Sequence, residues 1–248
     1  MSNKLANKVA VVTGGSQGIG AGIVRKLAEQ GAHVVFSYNS NKEAAEKIVS
    51  ETSALNSKVI AVKADVTKPD DVNALFARAT EEFDKIDILV NNAGVFTFQP
   101  IDVVTPEEVT RLFTTNVFAS IFTIQSALAH LNDGASIINI GSIVATSAPA
   151  TSVAYSSSKA AVDGITKVLS KELAPRKITV NQINPGSIRT QGAQKAGLNE
   201  EFEKFLVAGI PLGRIGLPED IANLTAFLAS DEAKWITGEI IMVSGGAR

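Results

Sequence analysis

Seven short apolar runs, rich in valine and isoleucine, alternate along this chain with longer amphipathic segments. The runs are Val9–Val12, Val34–Phe36, Val59–Val62, Ile86–Val90, Ser136–Ile140, Ile178–Ile183 and Ile240–Val243. A strand that is apolar at consecutive positions, and not only at every second one, is buried on both faces, as in a parallel sheet covered by helices. Helical patterns fill the intervals over 18–30, 42–55, 70–84, 106–130, 153–173 and 218–229. Thr105-Pro106-Glu107-Glu108 and Leu217-Pro218-Glu219-Asp220 mark helix starts, with proline at the first helical position and acids in the first turn. Strands and helices in strict alternation predict an α/β protein with a doubly wound, seven-stranded parallel sheet flanked by helices on both faces. No linker, composition break or internal repeat divides the sequence, so residues 1–248 read as a single domain.

Composition narrows the function classes. The net charge is −2 with both signs dispersed, so no basic block suits nucleic acid and no polybasic helix suits a membrane surface. No apolar run approaches the length of about 18 residues that a membrane helix needs. The segment Met1–Lys8 lacks the apolar core of a secretory signal, and a cytoplasmic location is expected. The absence of cysteine excludes disulfides, thiolate nucleophiles and zinc–thiolate sites. His33 and His130 are too far apart for a local metal motif, so no metal is expected.

Two local patterns carry chemistry. Tyr155 and Lys159 lie four residues apart in a helical stretch, a spacing that projects both from one face. An ammonium so placed favours phenolate and is expected to pull the tyrosine below its reference pKa of about 10. Directly after the first strand, Thr13-Gly14-Gly15-Ser16-Gln17-Gly18-Ile19-Gly20 opens a helix. Glycines there allow a tight turn and close backbone approach, so that the helix N-terminus faces a pyrophosphate. The stretch 189–211 breaks the strand–helix rhythm, polar at first and then amphipathic through Phe202, Phe205 and Leu206. It reads either as a plain crossover or as a lid over a pocket.

Thr13-Gly14-x-x-x-Gly18-x-Gly20, Asn91-Asn92-Ala93-Gly94, Ser142, Tyr155-x-x-x-Lys159 and Pro185-Gly186 follow one another in an order and spacing that resembles the short-chain dehydrogenases/reductases. The resemblance covers essentially the whole chain and points to the compact members with a Rossmann-type fold. It implies that Gly14, Ser16, Gln17, Gly18, Ile19 and Gly20 form the pyrophosphate turn. By the same resemblance, Asp65 and Val66 meet adenine, and Asn91, Ala93 and Gly94 border its ribose. Pro185, Gly186, Ile188 and Thr190 would hold the nicotinamide carboxamide. Tyr155 would be the acid–base group, Lys159 its partner and ribose anchor, and Ser142 the donor to the substrate oxygen. Asn116 would distort its helix and hold a water that links Lys159 to solvent. Asp65 and Ser142 each retain a simpler reading as turn or helix caps.

The second-strand end, Tyr38-Asn39-Ser40-Asn41-Lys42, has no carboxylate before Glu43, so a 2′-phosphate meets no repulsion. NADP(H) is therefore favoured and NAD(H) remains possible, because Gln17 stands where many NADP-preferring relatives carry a basic residue. Related enoyl reductases place the lysine farther from the tyrosine, which disfavours carbon–carbon double-bond reduction. Residues 127–135 carry no permanent cation for docking an acidic carrier protein. Val95, Phe96, Phe98, Ile143, Val144 and Ala148, expected to face the substrate, are mostly apolar and suit a small or medium ketone or its secondary alcohol. The expected activity is a carbonyl reductase. The alternatives are a 3-oxoacyl-carrier reductase, an NAD-dependent sugar or alcohol dehydrogenase, and a nucleotide-sensing scaffold without turnover. The apolar faces of 106–130 and 153–173 exceed what one sheet face needs, and the resemblance implies that these helices pair copies of the chain into a homotetramer.

Overall fold

Each of the seven apolar runs forms a strand in a computed structural model that describes residues 3–195 and 197–247. The strands are β1 (Val9–Val12), β2 (His33–Tyr38), β3 (Val59–Lys63), β4 (Ile86–Asn91), β5 (Leu131–Ile140), β6 (Thr179–Pro185) and β7 (Ile240–Val243). All pair in parallel, in the order β3-β2-β1-β4-β5-β6-β7. The chain travels outward from β1 to β3, returns to place β4 beside β1, and then travels the other way. That reversal opens a crevice at the carboxyl ends of β1 and β4, where doubly wound sheets bind ligands.

Among the described residues, ten α-helices cover the sheet or rim the crevice. They are α1 (Gly18–Glu29), α2 (Lys42–Thr52), α3 (Pro69–Phe83), α4 (Pro106–Phe113), α5 (Ala119–Ala127), α6 (Val144–Ser147), α7 (Val153–Glu172), α8 (Gln191–Lys195), α9 (Glu200–Ala208) and α10 (Pro218–Leu228). Consecutive strand residues feed opposite cores. Val12, Phe36, Val90 and Ile138 pack with Ile23 and Leu27 of α1 and Ile221 of α10. Their neighbours Val11, Val35, Leu89 and Ile137 pack with Leu75 and Phe76 of α3 and Ile124 of α5. This two-sided burial is why the strands read as continuous apolar runs. Truncating a side chain such as the fully buried Phe76 to alanine would cost about 3–5 kcal/mol.

Two elements depart most from expectation. The helix expected over 106–130 is interrupted by a π-helical segment, Thr114–Phe118, between α4 and α5, and the helical run ends at Ala127. β5 begins at Leu131 and not at Ser136, pairing Leu131 with Ile86 through a register shift. Asn132, Asp133 and Gly134 hide that early start, because their polarity does not read as strand. The stretch 189–211 contains α8 and α9, the latter capped by Asn199 Oδ1, which accepts from Phe202 N at 2.8 Å. Among the described residues, no helix is long and apolar enough to cross a membrane.

Candidate active site

A cleft of about 840 Å³ lies at the topological reversal. Its glycine turn is held from below: Asn92 Nδ2 donates to the carbonyls of Thr13 and Gly14 at 3.0 Å each, and Thr13 Oγ1 accepts from Asn92 N and Ala93 N. Gly14 sits at φ +65°, a conformation that L side chains rarely adopt. A Cβ on Gly20 would stand 2.2 Å from the Gly14 carbonyl oxygen, so only glycine lets α1 approach the turn this closely. α1 starts with no side-chain cap and no acid in its first turn among the described residues. Its first N–H groups thus point to the cleft as a ready anion site, which fits the pyrophosphate of a dinucleotide.

Gly14, Ser16, Gln17, Gly18, Ile19, Gly20, Asn39, Ser40, Asp65, Val66, Ala93, Gly94, Tyr155, Lys159 and Thr190 all line this cleft. Tyr38, Asn91, Asn116, Ser142, Pro185, Gly186 and Ile188 are not part of its wall. Asn91 turns its side chain into the sheet, where Nδ2 donates to Asn139 Oδ1 at 3.0 Å. Pro185 and Gly186 act from behind: Ile143 N donates to Pro185 O at 3.0 Å, and Gly186 N to Val243 O at 2.9 Å. Ile188 is buried and bridges to Gly216. Sequence reasoning did not single out Ser37, Thr67, Asn92, Arg111, Thr114 or Thr115, which also line the cleft. Asn92 stood inside a quoted motif. Arg111, Thr114 and Thr115 reach the cleft from the turns around the π-helical segment, which no periodicity announces.

Asp65 closes a turn, as its simpler reading expects. Its Oδ1 accepts from Thr67 N at 3.0 Å and Thr67 Oγ1 at 2.7 Å, closing the turn, while the residue also borders the cleft. Burial pushes its carboxyl up, but the Thr67 hydrogen bonds and Lys68 more than offset this and leave it below the ordinary aspartate range.

Tyr155 and Lys159 share one face of α7. Lys159 is buried, and its Nζ donates to the Ile140 carbonyl at 2.9 Å. A Cβ on Gly94 would lie 3.2 Å from Asn116 Oδ1 and 3.4 Å from Lys159 Nζ, so these two groups meet over that glycine. Asn116 Oδ1 accepts from Val95 N and its Nδ2 donates to Val95 O, both at 2.9 Å, with Ser158 Oγ also accepting at 3.0 Å. Ser142 stands near enough to the Tyr155 phenol to oppose the rise of its pKa, and its Oγ accepts from Val144 N at 3.4 Å. Phe96 and Phe98 flank the Tyr155 ring at centroid distances of 6.1 and 5.9 Å.

Electrostatics depart from the sequence expectation at Tyr155. Burial pushes its phenol above 10, and Ser142 opposes this only in part. Lys159 is itself pushed down to about 8 by burial, and burial outweighs any pull of its charge on the phenol. Among the described residues, no group of three or more His, Asp or Glu side chains is placed to hold a metal.

Residues 14–248 match the protein family described as Enoyl-(Acyl carrier protein) reductase. An uncharacterized oxidoreductase of Methylorubrum extorquens is 48% identical over 99% of this chain and 100% of its own length. A hydroxynaphthalene reductase-like protein of Metarhizium brunneum is 40% identical, covering 98% of this chain and 96% of that protein. A short-chain dehydrogenase from Burkholderia cenocepacia, solved in complex with NADP, superposes with a TM-score of 0.92 at 37% identity, covering 98% of both chains.

Proposed function

Because the chain belongs to the short-chain dehydrogenase/reductase family and is an oxidoreductase of that family, we propose that it is an NADPH-dependent carbonyl reductase acting on ketones and, in reverse, on secondary alcohols. The observation that carries this reading is the convergence of Ser142, Tyr155 and Lys159 at the carboxyl edge of β5, beside the glycine turn. Reduced nicotinamide, when bound, supplies the hydride. Tyr155 Oη, kept protonated by its buried setting, donates the proton to the carbonyl oxygen, and Ser142 Oγ orients that oxygen and steadies its developing charge. Lys159 anchors the nicotinamide ribose, and Asn116 opens a route from Lys159 to solvent. Asp65, Val66, Thr190 and the glycine turn position the rest of the dinucleotide.

NADPH is favoured over NADH by the end of β2. Ser37, Asn39, Ser40 and Asn41 line the cleft there with no carboxylate, and α2 begins immediately after them. Carbonyl reduction is favoured over the enoyl reduction in the family description, because Tyr155 and Lys159 stand one helical turn apart. The walls favour ketones bearing a flat ring: Phe96 and Phe98 are 40% and 49% exposed around Tyr155, offering edge and face contacts. The stretch 189–211 serves as the lid, and Arg189 at its base is ion-paired to Glu203 of α9. The protein works as a cytoplasmic homotetramer.

The test is consumption of NADPH and NADH with a panel of aryl and alkyl ketones. NADPH with an aryl ketone should give the highest kcat/KM. Tyr155→Phe should keep NADPH binding by fluorescence titration yet lose about 10²–10⁴ in kcat. Cofactor binding without turnover of any ketone would point to a nucleotide-sensing scaffold.

A further inference from the structure

Beneath the catalytic helix runs a chain of buried hydrogen bonds in which every donor points the same way. Asn91 Nδ2 donates to Asn139 Oδ1 at 3.0 Å, and Asn139 Nδ2 to Thr166 Oγ1 at 2.9 Å. Thr166 Oγ1 donates to Gln182 Oε1 at 3.0 Å, and Gln182 Nε2 to Asp163 Oδ1 at 2.6 Å. Gln182 Nε2 also donates to Asn184 Oδ1 at 2.7 Å. Asn139, Thr166, Gln182 and Asn184 are fully buried, so the bonds among them are made away from water, and the closing Gln182–Asp163 bond is partly buried. The run ends on a carboxylate, which only accepts; that terminus fixes which way each amide is turned.

The placement of this chain ties it to the chemistry. Tyr155, Lys159, Asp163 and Thr166 recur along one face of α7 at helical spacing. The Ile140 carbonyl that holds Lys159 Nζ is gripped from both sides. Its neighbour Asn139 is a link in the chain. Its other neighbour, Gly141, lies so close to the network that a Cβ there would stand 2.0 Å from Asn184 Oδ1 and 2.3 Å from Gln182 Nε2. Ser142 follows directly. Asp163 itself touches neither the cleft nor any residue with a proposed chemical step.

We propose that Asp163 is a positioning residue: by terminating the Asn91–Asn139–Thr166–Gln182 chain it locks α7 onto β5 and β6, and so sets Lys159, Ile140 and Ser142 relative to Tyr155. The proposal rests on the carbonyl-reductase reading, since it assigns Asp163 a part in aligning that machinery. Displacements of about 1 Å at reacting groups can cost about a hundredfold in rate while leaving binding contacts in place.

The test compares four proteins, each assayed for ketone KM, kcat, NADPH affinity and Tm. Asp163→Ala should lower kcat about tenfold, with ketone KM and NADPH affinity within about twofold of the parent. Gln182→Glu should be worse, because it sets two carboxylates face to face. Gln182→Glu combined with Asp163→Asn should recover kcat to within about threefold of the parent. In that pair the carboxylate introduced at position 182 still accepts from Thr166, and the amide introduced at position 163 donates where Gln182 did. Asn184 can then turn its Nδ2, unpartnered in the parent, to the new carboxylate. Asp163→Ala with unchanged kcat, even at a lowered Tm, would make the residue merely structural and overturn the proposal. So would a double variant no faster than Gln182→Glu alone. A parent without activity on any ketone sinks the underlying reading, a result separable from these because it precedes every substitution.

Discussion

Lys159 is where burial and function pull hardest against each other. Its ammonium has a pKa of about 8 in the folded protein, against 10.5 for the free side chain. A base whose folded pKa lies below its unfolded value carries its full penalty below pH 8. The penalty is relieved as pH rises from 8 to 10.5, where the unfolded chain binds the extra proton. The penalty is on the order of 3 kcal/mol. Lys159→Met should therefore raise Tm at pH 7 by a few degrees while abolishing turnover, with the advantage fading toward pH 10. Calorimetry across that range checks the sign, and a variant less stable than the parent at neutral pH would refute it. The same group predicts the rate profile. If charged Lys159 is required, kcat/KM for ketone reduction in the free enzyme is level below about pH 8 and falls about tenfold per pH unit above it. A profile level to about pH 10 would remove Lys159 from the required protonation state. The i, i+4 spacing made the pair legible in the sequence, but not the surroundings of the two groups: Lys159 is enclosed by Ile140, Gly94 and Asn116, and the Tyr155 ring by Phe96 and Phe98, residues from other segments.

Among elements, the α4–π–α5 run separates what sequence shows from what it hides. Proline and two acids after Thr105 placed its start, and Thr105 Oγ1 accepts from Glu108 N as expected of a cap. Asparagine inside the helical pattern signalled trouble at Asn116. The form of the distortion was not legible. It arises because the Asn116 amide binds both backbone groups of Val95 and so draws the post-β4 loop against the helix. β5 shows the converse, since pairing with Ile86 recruits Leu131–Ala135 despite their polarity. The strand cores, by contrast, were all legible, because burial on two faces keeps most strand positions apolar, with hydrogen-bonded Asn139, Gln182 and Asn184 as exceptions. Asn116→Leu would leave the Val95 N–H and carbonyl unpaired at about 1–3 kcal/mol each. We expect a Tm loss of several degrees together with at least a tenfold loss of kcat. If Tm falls while kcat holds, Asn116 shapes the helix without serving the proton route.

At the scale of the whole molecule, two sets of exposed apolar residues stand away from the cleft. One combines Phe118, Ile121 and Phe122 with Val153 and Val168 of α7, all at least 42% exposed. The other surrounds the sheet edge at β7: Trp235 is 100% exposed, with Leu212 at 72% and Met242 at 42%. Patches of this kind mark association surfaces, and an apolar edge strand left open invites uncontrolled pairing. A two-fold axis through either face alone gives a dimer, and two such axes together close a tetramer. Charge placed at one face should therefore leave the other intact. Phe122→Glu and Trp235→Glu should each sediment as dimers at micromolar concentration, and the double variant as monomers, whereas a monomeric parent would refute the assembly. The two dimers should differ in activity. The first face includes the outer side of α7, whose inner side carries Tyr155 and Lys159, so Phe122→Glu removes support from directly behind those two side chains. The second face lies across the sheet edge from them. Loss of kcat in Phe122→Glu but not in Trp235→Glu would tie assembly to catalysis through α7; equal loss in both would place that coupling elsewhere.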